Sequence, residues 1–380
     1  MGHIYRDYAV FEHKIGFPMD KGCGIIIFGD RMDTRLFTIN PEKPDKAALE
    51  EAGKIIKKGG LVAFPTETVY GLGGDALNKE SSRKIYAAKG RPSDNPLIVH
   101  IGCIEDLYSI VKSIPEEAKV LADAFWPGPL TMIFEKSDKV PFETTGGLST
   151  VAVRMPKDPI ALEFIRQSGG YVAAPSANIS GKPSPTLAKY VMEDMDGRID
   201  AVIDGGEAVI GLESTIVDLT GEAPMILRPG YITKEMLLEV LDRVDEDKTM
   251  MNEASDTAPK APGMKYRHYA PKGMLTIIAG DGERVVEEIN ERTQKAMEQG
   301  KKTGVIATSE NFASYRADVI KNAGDRKDEA AIAKELYRIL REFDDEDVEV
   351  IYSESFDEGG IGQAIMNRLL KAAGHHIDYI

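Results

Sequence analysis

The chain has 380 residues, 42% of them hydrophobic and 29% charged, and its formal net charge at pH 7 is −15. This length exceeds what one hydrophobic core usually supports, so the sequence predicts two domains of ordinary globular composition. No run of eighteen apolar residues occurs, which excludes a transmembrane helix, and the negative charge argues against a protein that mainly grips nucleic acid.

The N-terminal segment, residues 1–31, lacks the basic start and long apolar core of a signal peptide. The two cysteines, Cys23 and Cys103, form neither a disulfide framework nor a metal-binding pattern, so we expect a cytoplasmic protein. We interpret residues 1–31 as an extension or a misassigned start, with translation beginning at Met32. The alternative is a genuine extra strand at residues 24–28, GIIIF.

From residue 45 to about residue 244, helical and extended patterns alternate. Apolar residues at helical spacing predict a helix over 45–58, which Gly59 and Gly60 end. Further helices are predicted at 81–89, 115–125, 159–167 and 234–244, and strands at 61–64, 96–101, 130–134, 151–155, 171–174, 201–205, 214–219 and 225–228. The alternation predicts a mixed α/β domain over residues 32–245.

Two segments of this domain predict a ligand site. Residues 61–78, LVAFPTETVYGLGGDALN, are typical of a buried strand that opens into a shaped, glycine-rich loop. Residues 89–100, KGRPSDNPLIVH, place two cations, an amide and an imidazole shortly afterwards, which favours an anionic ligand such as a phosphate ester. Taken alone, Lys89 and Arg91 would equally fit a solvated helix C-terminus, where cations are stable against the helix dipole. No P-loop occurs, and GLGGDA lacks the strand-to-helix context of a dinucleotide fingerprint.

The remaining chain divides into a linker and a second domain. Residues 246–271 are charged and aperiodic, and end in KYRHYAP at 265–271, which we predict to dock on the active site as a lid. From residue 272 to 380 the sequence alternates between strands (274–280, 303–308, 348–354) and helices (282–299, 329–343, 361–373). This pattern predicts a small Rossmann-like domain with a parallel sheet, for which no ligand can be assigned.

Six further motifs follow the two segments described above along the chain. They are FWPGPLT (125–131), VAVRMP (151–156), APSANISGKPSPT (174–186), GLESTIVD (211–218), ILRPG (226–230) and KYRHYAP (265–271). With them the chain resembles the YrdC-like threonylcarbamoyl-AMP synthases in their two-domain form, from Asp33 to the C-terminus and most strongly up to Pro271. The resemblance implies a YrdC-like fold: a twisted, open mixed sheet with flanking helices.

The resemblance also implies a reaction. L-threonine, bicarbonate or CO2, and ATP would combine to give threonylcarbamoyl-AMP and pyrophosphate, the activity of a nucleotidyltransferase. The product would serve N6-threonylcarbamoyladenosine modification of tRNA through a separate transferase complex, with at most a weak RNA contact. Mg2+ would arrive with ATP, and neither a tightly bound organic cofactor, a protein-held metal nor a membrane partner is expected.

The matching motifs assign roles to individual residues by resemblance. The catalytic residues would be Lys89 and Arg91. L-threonine would contact Thr68, His100, Arg154, Ala174 and Ser214. ATP would contact Arg91, Asn95, Thr150, Ser176, Ser184, Arg228 and Tyr266. Glu67 is a candidate for contact with water on the metal ion.

Two other functions fit the same fold. The first is a module that binds double-stranded RNA through a concave basic surface. The second is a carbamoyl-transfer unit, which would carry zinc-binding cysteine clusters that this sequence lacks.

Overall fold

The computed structural model describes residues 33–247 and 269–380, which form two sheets with their helices. The predicted N-terminal extension, the alternative strand at 24–28 and the linker residues 248–268 lie outside the described residues. We call the first sheet and its helices the N-terminal domain, and the second sheet and its helices the C-terminal domain. In the part of the chain described, no helix is long and apolar enough to cross a membrane.

The N-terminal domain is built on a sheet in which eleven strands of the described chain take part. In chain order they are β1 (Arg35–Thr38), β2 (Val62–Phe64), β3 (Gly71–Asp75), β4 (Ile98–Ile101), β5 (Leu130–Glu135), β6 (Thr150–Arg154), β7 (Tyr171–Ala174), β8 (Ala201–Asp204), β9 (Thr215–Asp218), β10 (Met225–Arg228) and β11 (Asp245–Glu246). Their order across the sheet is β1-β8-β2-β3-β7-β4-β6-β5-β9-β10-β11. Parallel pairs such as β4 with β6 alternate with antiparallel pairs such as β4 with β7, so the predicted mixed sheet is confirmed.

Helices cover this sheet, and their ends follow from the sequence. They are α1 (Lys46–Lys57), α2 (Lys79–Lys89), α3 (Leu107–Ile110), α4 (Glu116–Phe125), α5 (Pro159–Gln167), α6 (Ala188–Met195) and α7 (Lys234–Leu238). Asp45 caps α1 by accepting hydrogen bonds from the first-turn amides, and Asn78 caps α2 in the same way. Gly90, at φ +64°, ends α2 in the left-handed conformation that favours glycine.

Two predicted elements differ from the structure. The helix predicted to reach residue 244 ends at Leu238, because Asp245 and Glu246 leave helical geometry to pair with β10. The predicted glycine-rich loop is instead strand β3, antiparallel to β2, where Gly73 pairs with Val62. A Cβ atom on Gly73 would lie 2.9 Å from Cγ1 of Val172, so glycine is required there for strand packing.

The C-terminal domain has five parallel strands in the described chain, in the order β14-β13-β15-β12-β16. Its elements are β12 (Met274–Ala279), α8 (Gly282–Glu298), β13 (Thr303–Thr308), β14 (Val319–Gly324), α9 (Glu329–Asp345), β15 (Val350–Glu354), α10 (Gly360–Ala372) and β16 (Ile377–Tyr379). Strands alternate with helices, which confirms the predicted Rossmann-like architecture. The sequence patterns missed β14 and β16, both of which are edge strands.

The two domains share buried contacts at the loop that precedes β9. Leu212 from this loop and Val69 from the loop after β2 belong to the same buried apolar cluster as Leu336 and Ile365 of the C-terminal domain. Gly211 has φ +79°, and a Cβ atom there would lie 2.4 Å from the Cα atom of Lys334 in α9. The loop backbone therefore lies directly on helix α9, and only glycine can occupy this position.

We predict that Gly211→Ala destabilises the protein more than Gly206→Ala. Both glycines have positive φ, at +79° and +89°, so each alanine carries about 1–2 kcal/mol of backbone strain. A Cβ at Gly206 meets nothing within 4 Å, whereas one at Gly211 collides with the backbone of α9 and adds about 1–3 kcal/mol of overpacking. Thermal unfolding of the two variants measures the difference, and equal unfolding temperatures would contradict the close contact.

Candidate active site

A solvent-open cleft of about 670 Å³ lies on one face of the N-terminal sheet. Nine of the residues predicted to act on substrates line it together: Thr68, Lys89, Arg91, His100, Arg154, Ala174, Ser176, Ser214 and Arg228. Ile98 and His100, two residues apart on β4, share the cleft face, and Arg154 is paired with His100 on the neighbouring strand β6.

Arg154 is fixed by three contacts in the buried wall of the cleft. Its Nη2 atom lies 2.7 Å from Oε1 of Glu67, and its Nη1 atom donates a hydrogen bond to Oγ1 of Thr68 at 2.8 Å. Its Nε atom donates to the carbonyl oxygen of Gly128, in the FWPGPLT motif, at 3.2 Å. A guanidinium has five N–H donors, so these contacts do not use all the donors of Arg154.

His100 is buried beside this guanidinium and is neutral. Burial, with a smaller contribution from the charge of Arg154, lowers the pKa of His100 to about 3. Its Nδ1 atom lies 3.2 Å from the carbonyl oxygen of Ile98, and its ring meets Phe64 edge-on at a centroid distance of 5.9 Å. The imidazole can therefore orient a polar ligand group, but it does not supply positive charge.

Lys89 and Arg91 are two further basic side chains in the lining of the cleft. The Nζ atom of Lys89 donates to the carbonyl oxygens of Ser176 and Asn178, both at 2.5 Å, and burial holds its pKa well below the usual lysine value. Arg91 donates from Nε to the carbonyl oxygen of Asn95 at 3.3 Å, and burial lowers its pKa to about 10, which leaves it charged at neutral pH. Among the described residues no carboxylate forms a salt bridge with either side chain, which favours an anionic ligand.

Arg228 reaches the cleft from the last residue of β10. Its Nε and Nη2 atoms donate to the carbonyl oxygen of Ser214 at 3.1 and 2.9 Å, and Nη2 also lies 3.2 Å from the Ser214 hydroxyl. That hydroxyl is 2.7 Å from Oγ1 of Thr131. Ser214 and Arg228 therefore form one connected wall of the cleft.

Three predicted ligand contacts do not line the cleft, and a fourth lies outside the described residues. Asn95 is buried next to Arg91 but does not line the cleft, and Thr150 lies at the opposite end of β6 from Arg154. Ser184 lies behind the cleft wall, where its hydroxyl donates to Glu213 at 2.6 Å. Tyr266 lies outside the described residues. The ATP contacts assigned to these four residues stay predictions.

Comparisons with known proteins cover both domains. A family model described as "Telomere recombination" matches residues 54–230, and one described as "Threonylcarbamoyl-AMP synthase, C-terminal domain" matches residues 232–374. The threonylcarbamoyl-AMP synthase of Pyrococcus abyssi is 49% identical over 336 residues, which are 88% of this chain and 97% of the relative. The chain belongs to the threonylcarbamoyl-AMP synthase family. The predicted resemblance, in its two-domain form, is thereby confirmed.

Two further comparisons agree with this membership in the threonylcarbamoyl-AMP synthase family. The threonylcarbamoyl-AMP synthase of Bacillus subtilis is 48% identical over 330 residues, or 87% of this chain and 94% of the relative. The crystal structure of Pyrococcus abyssi Sua5 complexed with L-threonine has a TM-score of 0.87 and 48% identity. It covers 91% of this chain and 100% of that chain, so the two-domain fold is common to both proteins.

Residue-by-residue assignment missed several side chains that line the cleft of this threonylcarbamoyl-AMP synthase family member, and two of them contact the C-terminal domain. Glu213 is buried in the cleft wall, next to the predicted Ser214. Tyr269, from the KYRHYAP segment, also lines the cleft and packs against Tyr337 of α9 at a ring distance of 5.1 Å. Glu213 lies in the motif GLESTIVD and Tyr269 in the motif KYRHYAP. The motifs therefore identified the correct segments, but not every residue within them that lines the cleft.

The metal-binding capacity of the site depends on its acidic residues. Within residues 33–247 and 269–380, no group of three or more His, Cys, Asp or Glu side chains is arranged to hold a metal ion. Glu67, the candidate for contact with metal-bound water, is in the ion pair with Arg154.

We predict that His100→Gln reduces the acid sensitivity of folding. Because the folded-state pKa of His100 is about 3 and an unfolded histidine has a pKa of about 6.5, the unfolded chain binds more protons between these values. Acidification therefore destabilises the wild-type protein through His100, by roughly 2 kcal/mol between pH 7.5 and pH 5.

Thermal unfolding from pH 7.5 to pH 5 tests this expectation. The unfolding temperature of the wild type should fall toward that of His100→Gln as the pH is lowered. The control variant His376→Gln changes an exposed imidazole and should follow the wild type throughout. A constant difference between wild type and His100→Gln would show that His100 is not held neutral.

Proposed function

We propose that this protein is an L-threonylcarbamoyladenylate synthase that forms threonylcarbamoyl-AMP and pyrophosphate from L-threonine, bicarbonate or CO2, and ATP. The observation that carries the proposal is one cleft in which a carboxylate-binding wall faces a group of buried cations. The wall is formed by Arg154, Thr68 and His100, and the cations include Lys89 and Arg91. The relative whose crystal structure is complexed with L-threonine supports the choice of amino acid.

In this proposal the Arg154 end binds threonine. The guanidinium of Arg154 attracts the substrate carboxylate through donors that its protein contacts leave unused, and Glu67 and Thr68 hold the guanidinium in place. The neutral imidazole of His100 and the hydroxyl of Ser214 orient the amine and hydroxyl of threonine, while Ala174 shapes the floor of the cleft. An imidazolium at His100 would repel the substrate's ammonium group, which is a physical reason for a neutral side chain.

The Lys89 end then binds the phosphates of ATP. After the threonine amine is carboxylated, a carbamate oxygen attacks the α-phosphorus, a new P–O bond forms, and the bond to the β-phosphate oxygen breaks to release pyrophosphate. Such an in-line displacement depends on positioning and on neutralising phosphate charge, which Lys89, Arg91 and Arg228 supply. Mg2+ enters with ATP, since it keeps most of its water and needs few protein ligands.

We assign the remaining ATP contacts to Asn95, Thr150, Ser176, Ser184 and Tyr266. The domain boundaries follow the same proposal: a synthase domain at 32–245, a docking linker at 246–271 and a second domain at 272–380.

The proposed product has a cellular use of defined chemistry. Threonylcarbamoyl-AMP is an activated acyl phosphate, and a separate transferase complex would pass its threonylcarbamoyl group to tRNA. A small-molecule enzyme of this kind needs only a weak RNA contact, and the net charge of −15 is compatible with that role in the cytoplasm.

No structural observation favours the alternative, a module that binds double-stranded RNA. Its basic surface would have to reach the phosphates of a duplex, yet the cleft cations are buried, with Lys89 2% exposed and Arg91 8% exposed. Buried cations in a narrow cleft suit one small anion rather than a helical polymer.

Pyrophosphate release from ATP tests the proposal directly. We expect release that requires both L-threonine and bicarbonate, with L-serine as the matched amino-acid control. Release that ignores threonine and bicarbonate would indicate a different reaction. A folded sample that binds ATP without releasing pyrophosphate would point to a carrier or an RNA-binding role.

Arg91→Ala is expected to lower kcat by about 10²–10³, the usual effect of removing one preorganised group that stabilises transition-state charge. The control is Arg83→Ala on the same helix-and-loop segment, because Arg83 is exposed and pairs with Glu80 and Glu143 at the surface. Arg83→Ala should stay within about twofold of wild type, since exposed ion pairs contribute little. Near-native turnover of Arg91→Ala would remove Arg91 from the site.

A further inference from the structure

We infer that Arg368 of the C-terminal domain is a positioning residue of the active site, which acts through Glu213 to keep the ATP-binding wall in place. The inference rests on the proposed function, because it assumes that the wall formed by Ser214 and Arg228 receives the phosphates of ATP. It gives the C-terminal domain a role in substrate binding without a ligand of its own.

Glu213 is the point where the two domains meet inside the cleft wall. Its carboxylate accepts hydrogen bonds from the Ser184 hydroxyl at 2.6 Å, the Tyr337 hydroxyl at 2.8 Å and Nε of Arg368 at 3.1 Å. Tyr337 lies on α9 and Arg368 on α10, so two of these donors come from the C-terminal domain. Glu213 is 7% exposed and Arg368 is 0% exposed, so both charges are removed from water and depend on each other.

Arg368 also contacts the second half of the wall. Its Nη1 atom donates to the carbonyl oxygen of Pro229 at 2.5 Å. Pro229 directly follows Arg228, and Glu213 directly precedes Ser214. One guanidinium therefore binds the chain neighbours of both residues that form the wall, and it adds to the backbone pairing of β9 with β10 that already joins the two segments.

The negative charge of Glu213 is the reason why its contact with Arg368 affects the binding of ATP. Burial opposes ionisation, but the charges of Arg368 and Arg228 hold the pKa of Glu213 at about 2, so the cleft wall carries a carboxylate at neutral pH. An unbalanced carboxylate there would repel the phosphates of ATP. It would also attract the guanidinium of Arg228 away from them. Arg368 balances this charge from behind the wall and leaves Arg228 directed at the ligand.

Helix α9 contacts the N-terminal domain along one of its faces. Lys334, Tyr337 and Arg341 follow one another at spacings of three and four residues, so they lie on one face of the helix. This face contacts the N-terminal domain at Gly211, at Glu213 and at Asp194 respectively. Of these three contacts, the one at Glu213 lies in the cleft wall.

The test is a double-mutant cycle in the full-length protein with Arg368→Met, Glu213→Gln and both together. We measure KM for ATP, KM for threonine and kcat from pyrophosphate release, and the Kd of a non-hydrolysable ATP analogue by calorimetry. Arg368→Met should raise KM and Kd for the nucleotide about tenfold, with less change in KM for threonine. The double variant, which removes both charges, should return to within about threefold of wild type. A double variant no better than Arg368→Met would overturn the electrostatic role.

Arg338→Met is the matched control. Arg338 also lies on α9 and joins the same two domains through an ion pair with Glu207 at 3.6 Å, outside the cleft lining. It removes a cation from the same domain interface and should leave KM for ATP unchanged. Equal effects of the two variants on KM for ATP would reduce Arg368 to a purely structural residue.

Tyr337→Phe keeps the inference testable if Arg368→Met does not fold. It removes only the hydroxyl that binds Glu213 and retains the ring, so we expect about a threefold higher KM for ATP. An unchanged KM would count against the inference. Failure of the proposed function would look different, because the wild-type protein itself would then release no pyrophosphate in response to threonine and bicarbonate.

Discussion

Charge balance among the buried side chains of the cleft is the constraint on which the candidate active site depends. Four basic side chains lie in this cleft, each of which would be costly to bury without compensation: Lys89, Arg91, Arg154 and Arg228. The protein compensates the two ends differently. Arg154 has its own carboxylate, Glu67, at 2.7 Å, whereas Lys89 and Arg91 have only carbonyl oxygens among the contacts described above. Paired charge in one part and excess positive charge in another would give each of the two proposed substrates, threonine with its carboxylate and ATP with its phosphates, one favourable place in the cleft.

The same arrangement reconciles the composition of the chain with its proposed chemistry. The net charge of −15 comes from the whole sequence, but the positive groups that matter are collected in one recess of the sheet. Three strands meet there because parallel pairing sets Arg154 beside His100 and antiparallel pairing sets Ala174 beside Ile98. A small anion that enters the recess meets a local potential that the overall charge does not predict.

Local patterns in the sequence predicted most strands of the N-terminal sheet and most residues of the cleft. They failed for elements whose structure is determined by contacts with residues far away in the sequence. Strands β4 to β10 have apolar patterns that survive in the structure, and nine predicted side chains do line one cleft. Strand β3 was missed because glycines have no side chains that could form an alternating pattern. The need for glycine at Gly73 comes from its packing against Val172, about a hundred residues away in sequence. Glu213 was missed for the same reason, since Tyr337 and Arg368 lie 124 and 155 residues further along the chain.

The dependence of Glu213 on these distant partners bears on how the two domains divide their work. An N-terminal domain alone would retain the cleft cations, but it would leave Glu213 beside Arg228 without Tyr337 and Arg368. That carboxylate would then pair with Arg228 or be solvated by water, and either change alters the wall formed by Ser214 and Arg228. Gly211 and Leu212, which lie directly before Glu213, are packed against the C-terminal domain as well. The loop that carries the wall is thus packed by both domains, so the proposed substrate-binding unit is the pair of domains rather than the N-terminal sheet alone.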